Sequence, residues 1–304
     1  MTNGVSLEGR FRYDCSGNWY KGSVHVHTIN GSGRLTLPQA AAFYAEAGYD
    51  FIYVTDKKIP ISRDNLDGKL PLLVLDGMEL EGSDDQGSFY HVVCLGGVEK
   101  MTNGMAFMES LEHIRSNGGV LIWAHPHSVR NTAEEGMRHA FNGVEVYNHI
   151  NHIAFGKGSG AYHWDAVLEH QPDLLGFATD DAHFYEGLPG EKGGWIMVNS
   201  RELTNEAILA AINRGNFYSS TGPAFKSITL EKGNKIVIET SPILYARLTG
   251  EPVGYKFRGS SDGTPITQAS FRLPDDWIFA RLEIEDENGK IAWSNPLLNT
   301  EKGG

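Results

Sequence analysis

The chain has 304 residues, enough for one large domain or two with sizeable cores, and its 40% hydrophobic and 21% charged content is that of a globular protein. A net charge of -12 argues against an anionic-membrane face and against a nucleic-acid partner beyond a nucleotide or a short end, while leaving room for a local basic pocket. No apolar run approaches the ~20 residues of a spanning helix, Met1-Thr2-Asn3-Gly4 has neither a basic nor an apolar leader region, and Cys15 and Cys94 are too few for a disulfide framework, so the expectation is a soluble, cytoplasmic protein.

The first strong signal is Trp19-Tyr20-Lys21-Gly22-Ser23-Val24-His25-Val26-His27-Thr28. Val24 and Val26 alternate with His25 and His27, so a strand here sets both imidazoles on one face. Thr36, Leu37-Pro38 and an alanine-rich run to Gly48 read as a capped helix, followed by a strand over Asp50–Val54 that ends in Thr55-Asp56. Further apolar runs predict strands: Leu72–Leu75 leading to Gly77-Met78-Glu79, Tyr90–Leu95, Val120–Ala124 ending at His125-Pro126, and Val144–Asn148. Leu174–Ala178, ending at Thr179-Asp180-Asp181-Ala182-His183, and Trp195–Val198 complete the series. Helical spacing shows in Phe107, Met108, Leu111 and Ile114, closed by Gly118-Gly119, and again in Thr204–Asn213.

Strands alternating with helices predict a parallel sheet, and seven or eight such units predict a closed or nearly closed barrel whose chemistry sits at the carboxyl ends of the strands. From Phe225 the pattern changes to short alternating segments, Ser227–Leu230, Ile236–Ile238, Ala246–Leu248, Ala269–Arg272 and Ala280–Ile284, separated by Gly, Asn, Asp and Pro. These predict a small antiparallel, β-sandwich-like domain over 223–304 after a barrel over 1–222, with the boundary near Thr221-Gly222-Pro223. The polar residues at the strand ends are His25, His27, Asp56, Glu79, His91, His125, Asp181 and His183. Gathered at one barrel mouth they would repel or remain desolvated without a cation, and such mixed nitrogen and oxygen donors suit Zn, Mn or Fe.

The stretches Lys21–Thr28, Thr55-Asp56, Glu79 with His91, Ala124-His125-Pro126 and Asp181-Ala182-His183 resemble the motif series of the PHP (polymerase and histidinol phosphatase) superfamily. Glu145-Val146-Tyr147-Asn148 and Trp164–Leu168 are similar to segments of its phosphoesterase members, and Ala210–Tyr218, Thr221-Gly222-Pro223 and Ala292-Trp293-Ser294-Asn295-Pro296 resemble the CehA/McbA-like branch. The resemblance runs over nearly the whole chain. It implies a distorted (β/α)7 barrel and a metal-dependent hydrolase, usually of phosphate esters, with carbamate esters cleaved by some relatives of this branch.

By motif, the resemblance assigns His25, His27, Glu79 and Asp181 to one divalent metal and Glu79, His91 and His125 to a second. A third site has lost two of its ligand types, since Ser32 stands where an aspartate and Lys57 where a histidine would be, leaving only His183. The expectation is therefore two metals plus the Lys57 ammonium. In the phosphoesterase reading a metal-bound hydroxide attacks phosphorus in a small phosphorylated ester, Lys57 and Arg130 hold the non-reacting oxygens and His183 protonates the leaving group, with His127 also near the mouth. The alternatives are a carboxylic or carbamic ester hydrolase on the same site, and a metal- or ligand-binding protein without turnover.

Overall fold

The computed structural model describes residues 7–57, 70–102, 104–250 and 254–300. The leader reading at Met1–Gly4 lies outside the described residues. The chain begins with α1 (Leu7–Arg10), β1 (Asn18–Val26), α2 (Leu37–Glu46), β2 (Phe51–Val54), β3 (Leu73–Ser83) and β4 (Phe89–Leu95). Then follow α3 (Phe107–Ser116), β5 (Val120–Trp123), α4 (Pro126–Val129), α5 (Ala133–Met137), β6 (Gly143–Asn148), α6 (His149–Phe155), α7 (Ala161–Leu168) and β7 (Leu175–Thr179). After β8 (Trp195–Ser200), α8 (Asn205–Asn213) and β9 (Phe217–Ser220) come β10 (Phe225–Glu231), β11 (Lys235–Ile243), β12 (Tyr245–Gly250), β13 (Gly254–Gly259), β14 (Ile266–Arg272), β15 (Ala280–Glu285) and β16 (Ile291–Ser294).

Local chemistry sets several of these limits. Thr36 caps α2 by accepting from the Gln39 N–H while the Gln39 side chain accepts from the Thr36 N–H at 2.9 Å, a reciprocal capping box. Gly48, at φ 75°, ends the turn after α2 in the left-handed region.

Thirteen strands form one mixed sheet in the order β13-β12-β15-β16-β9-β8-β1-β2-β3-β4-β5-β6-β7, and β10-β11-β14 form a second, antiparallel one. β1, β2 and β3 pair in parallel, as do β5, β6 and β7. The expectation of a wholly parallel sheet fails at β4, which runs antiparallel to both β3 and β5. A parallel return needs a crossover of a dozen or more residues, and only the turn 84–88 separates β3 from β4, so β4 must come back as a hairpin. β8 likewise runs antiparallel to β1, pairing along Asn18–Gly22. Beyond that stretch β1 bonds to the segment after β7: His27 N–H donates to the Ala182 carbonyl at 2.9 Å and Ala182 N–H to the His25 carbonyl at 3.1 Å. These bonds bring the β1–β7 order back to its start.

Val24, Phe51, Leu75, Val93, Ile122, Phe177 and Ile196 pack as one buried cluster contributed by strands around this order. A second cluster joins Tyr13 and Tyr218 to Ile228, Ile238, Phe271, Leu282 and Leu297. The five segments expected after Phe225 are strands, but they divide between the two sheets, and the large sheet passes from β9 to β16 through Trp293 opposite Ser219. The amino-terminal segment is clasped to the carboxyl-terminal one, with Arg12 N–H donating to the Leu297 carbonyl at 2.9 Å and Asn299 N–H to the Arg10 carbonyl at 2.8 Å. Among the described residues no helix is long and apolar enough to cross a membrane. Cys15 and Cys94 are free thiols.

Candidate metal centre

β1 and the residue that follows it deliver His25 and His27 fully buried, their ring centroids 5.1 Å apart and their Nε2 atoms separated by 3.2 Å. Asp181, just past β7, sends Oδ1 to within 3.2 Å of His25 Nε2 and 3.3 Å of His27 Nε2. Its backbone is left-handed at φ 55°, a strained conformation for a non-glycine residue, held in place by the Ala182 bonds to β1. Glu79 on β3 stands between the histidines of three strands. Its Oε1 lies 2.6 Å from His91 Nδ1, 3.4 Å from His125 Nε2 and 3.8 Å from His25 Nε2, and its Oε2 lies 3.4 Å from His27 Nε2.

These side chains fit divalent cations. His25, His27 and Asp181 present donor atoms within 4.8 Å of one another, as do His25, Glu79 and His125, and all five residues are buried. Imidazole nitrogens turned toward each other and toward carboxylate oxygens, on buried side chains, match the mixed donor chemistry of Zn, Mn and Fe. Burial opposes charge on each group, and the neighbours decide the outcome. Burial is overcome for Asp181 by His25, His183 and His27, and for Glu79 by His125, His25 and His91, so both carboxyls sit well below the ordinary range. Against the same burial, Asp181 and Glu145 raise His25 well above an ordinary imidazole, and Glu79 and Glu145 raise His125. His27 goes down, because burial is reinforced by the neighbouring His25.

His183 stacks on His27 with centroids 4.3 Å apart and on Tyr185 at 5.0 Å, and its Nε2 lies 3.2 Å from Asp181 Oδ1. Lys57, just past β2, hydrogen-bonds Glu81 and lies 3.7 Å from Glu79 Oε2. Burial opposes its charge, but Glu79 and Glu81 raise its pKa above the ordinary lysine value. Ser32 is half-buried with its hydroxyl unpartnered among the described residues. Asp56 faces Thr28 instead, accepting its N–H at 2.7 Å and its hydroxyl at 2.5 Å, with His27 Nδ1 3.9 Å away.

Lys57, Glu79, Phe89, His91, His125, Ser128, Val129, Asn151, Asp181 and His183 line one cavity of about 380 Å³. Arg130 does not line it: it follows α4 in a left-handed conformation at φ 73° and is exposed, as is His127, whose ring faces His163. Two further carboxylates meet the site although the sequence reading assigned them no role in it. Glu81 contacts Lys57 and lies 3.7 Å from His91 Nε2; its position two residues after Glu79 on a strand was the available signal. Glu145, between Val144 and Val146 on β6, bonds His25 Nδ1 at 2.7 Å. A carboxylate inside an apolar strand must be paired, which could have singled it out.

The fold is similar to that of a two-domain protein from Bacteroides vulgatus containing a predicted PHP-like metal-dependent phosphoesterase, with a TM-score of 0.52, 13% identity, and coverage of 97% of this chain and 100% of that one. At this identity the likeness establishes the fold. A proposed metal-dependent phosphoesterase from Bifidobacterium adolescentis aligns with a TM-score of 0.41 and 13% identity over 57% of this chain and 91% of its own. No family model and no curated protein sequence matches the chain.

Proposed function

We propose that this protein is a PHP-type metal-dependent hydrolase, a phosphoesterase of the CehA/McbA-like branch acting on a small phosphorylated ester. In this reading β1–β7 form a distorted (β/α)7 barrel within 1–222, and 223–304 form a small β unit that shares its sheet. The observation that carries it is the position of Glu79, whose two oxygens lie within 3.8 Å of ring nitrogens from four histidines on β1, β4 and the end of β5. His25, His27, Glu79 and Asp181 hold one divalent cation, and Glu79, His91 and His125 hold a second, with Mn, Zn and Fe as candidates. When bound, such cations polarise a phosphoryl oxygen and make a nucleophilic water available near neutral pH. His183, at the cavity wall, supplies a proton to the leaving oxygen, and Lys57 presents its ammonium to a non-reacting phosphate oxygen.

A second reading has one observation in its favour. Among the described residues lining the cavity, Lys57 is the sole lysine or arginine, and its ammonium is already paired with Glu81. That favours a substrate with less negative charge, a carboxylic or carbamic ester. Metal analysis followed by turnover of phosphate, carboxylate and carbamate esters with Mn, Zn and Fe separates the two. The expected result is about two cations per chain and fastest turnover of a phosphate ester, both lost in Glu79→Ala. Faster turnover of a carbamate supports the second reading. Full metal content with no turnover of any ester, or Glu79→Ala retaining metal and activity, overturns the hydrolase assignment.

A further inference from the structure

Glu145 is fully buried, and all four of its lone-pair directions are taken. Oε1 accepts from His25 Nδ1 at 2.7 Å and from the Thr179 hydroxyl at 2.8 Å; Oε2 accepts from the His125 backbone N–H at 2.8 Å and from Asn148 Nδ2 at 2.8 Å. Its partners therefore come from β1, the end of β7, the turn after β5, and β6 itself. An ionised carboxylate only accepts, so His25 carries a proton on Nδ1, which leaves Nε2, the nitrogen that faces Asp181 and Glu79, as the one a cation would take. The second contact is to a backbone that needs support. His125 has φ 29° and ψ 58°, outside the regions a non-glycine residue adopts freely, and the Glu145 bond holds its N–H there while the imidazole faces Glu79.

From this geometry we propose that Glu145 is a positioning residue for both cation sites: one carboxylate fixes the tautomer of His25 in the first and the turn that aims His125 in the second. The inference rests on the metal assignment made above. A partner of this kind on a ligating imidazole is worth about 10–100-fold in metal affinity. Glu145→Gln keeps the volume but offers one acceptor oxygen and an amide that donates, so it cannot receive all four hydrogen bonds.

The test is zinc titration of the full-length chain and of Glu145→Gln, together with ¹⁵N-histidine NMR of the zinc-loaded wild type. Expected are a zinc dissociation constant about 10–100-fold weaker in the variant, and a His25 ring protonated on Nδ1 with Nε2 on the metal. Equal zinc affinity, or His25 bound through Nδ1, overturns this inference and leaves the metal assignment standing. A wild-type chain that takes up no zinc, manganese or iron overturns both. If Glu145→Gln does not fold, the wild-type NMR measurement decides alone.

Discussion

Removing Asp165 should cost more than removing the arginine it pairs with. Arg281 on β15 is buried, its side chain 3% exposed, and it donates from Nε and Nη2 to the two Asp165 oxygens, each at 2.8 Å, across to α7. Its guanidinium lies 4.8 Å from the Trp164 ring centre, and Glu283 is a weaker partner at 3.4 Å. Asp165→Ala leaves a buried cation with only that longer contact. Charge-assisted hydrogen bonds contribute roughly 1.5–3 kcal/mol each, but Asp165 is 40% exposed and Glu283 remains, so the expected loss is discounted to about 2 kcal/mol. With an unfolding entropy of ~2.1 cal/mol/K per residue over the whole chain, that corresponds to a drop in Tm of roughly 3 °C. Arg281→Met removes the buried charge, keeps apolar bulk beneath Trp164 and lets Asp165 return to water, so about 1 kcal/mol or less is expected. Calorimetry and urea unfolding of both variants measure the order. A larger loss for Arg281→Met, or none for Asp165→Ala, would refute the assignment of the cost to an unpaired buried cation.

Lys57→Ala should lower phosphoesterase turnover by about tenfold or more while leaving both cations bound, and Lys57→His with Ser32→Asp should raise metal content toward three per chain; unchanged rates on every ester and no added metal would remove Lys57 from the site. At Asp84, burial would raise the carboxyl, but hydrogen bonds from Ser88, Arg138, Tyr90 and Gln86 prevail and hold it below its ordinary value. A carboxyl depressed in the folded state contributes stability above its unfolded pKa of ~4 that fades as pH falls below it, so Asp84→Asn should flatten the fall in Tm below pH ~4; an unaltered pH profile would count against this. A chain ended at Gly222 would uncover Tyr218, Trp19 and Met197, which pack in the second core, and should aggregate; a soluble 1–222 monomer with full metal content would show the two units to be separable.

The sequence carried the strands that are apolar runs and the ligands that end them, because both follow from burial along a short local stretch. Strand direction at β4 was legible in principle, since the five residues between Ser83 and Phe89 cannot hold a crossover, but the alternation elsewhere outweighed it. β9 was overlooked because Ser219 and Ser220 look like surface residues; in the fold Ser219 accepts from the Ala178 N–H and donates to the Gly176 carbonyl, both at 2.8 Å, inside the core. Arg130 was expected at the mouth from its closeness to His125 in sequence; in the fold it follows Ser128 and Val129 of the cavity wall but is itself exposed in the left-handed turn after α4 and does not line the cavity. Glu145 was read only as part of a family-like segment and given no role, because the two partners of its Oε1 lie 34 and 120 residues away along the chain, a distance no local pattern reports.

The clasp between residues 10–12 and 297–299 bears on how the protein is made. Tyr13 receives a hydrogen bond from Asn295 N–H at 2.7 Å, 282 residues further along, and packs with Leu297 and Leu298, so this corner of the core lacks its partners until those residues have been made. At ribosomal rates of ~5–20 residues per second, the wait is roughly 15–60 s, during which β1, with its buried valines and both histidines, lacks β8 and Ala182 for most of that time. The emerging chain must shelter β1, paired on one edge by β2 alone, until β7 and β8 follow, so closure of this corner waits on segments far downstream in the sequence.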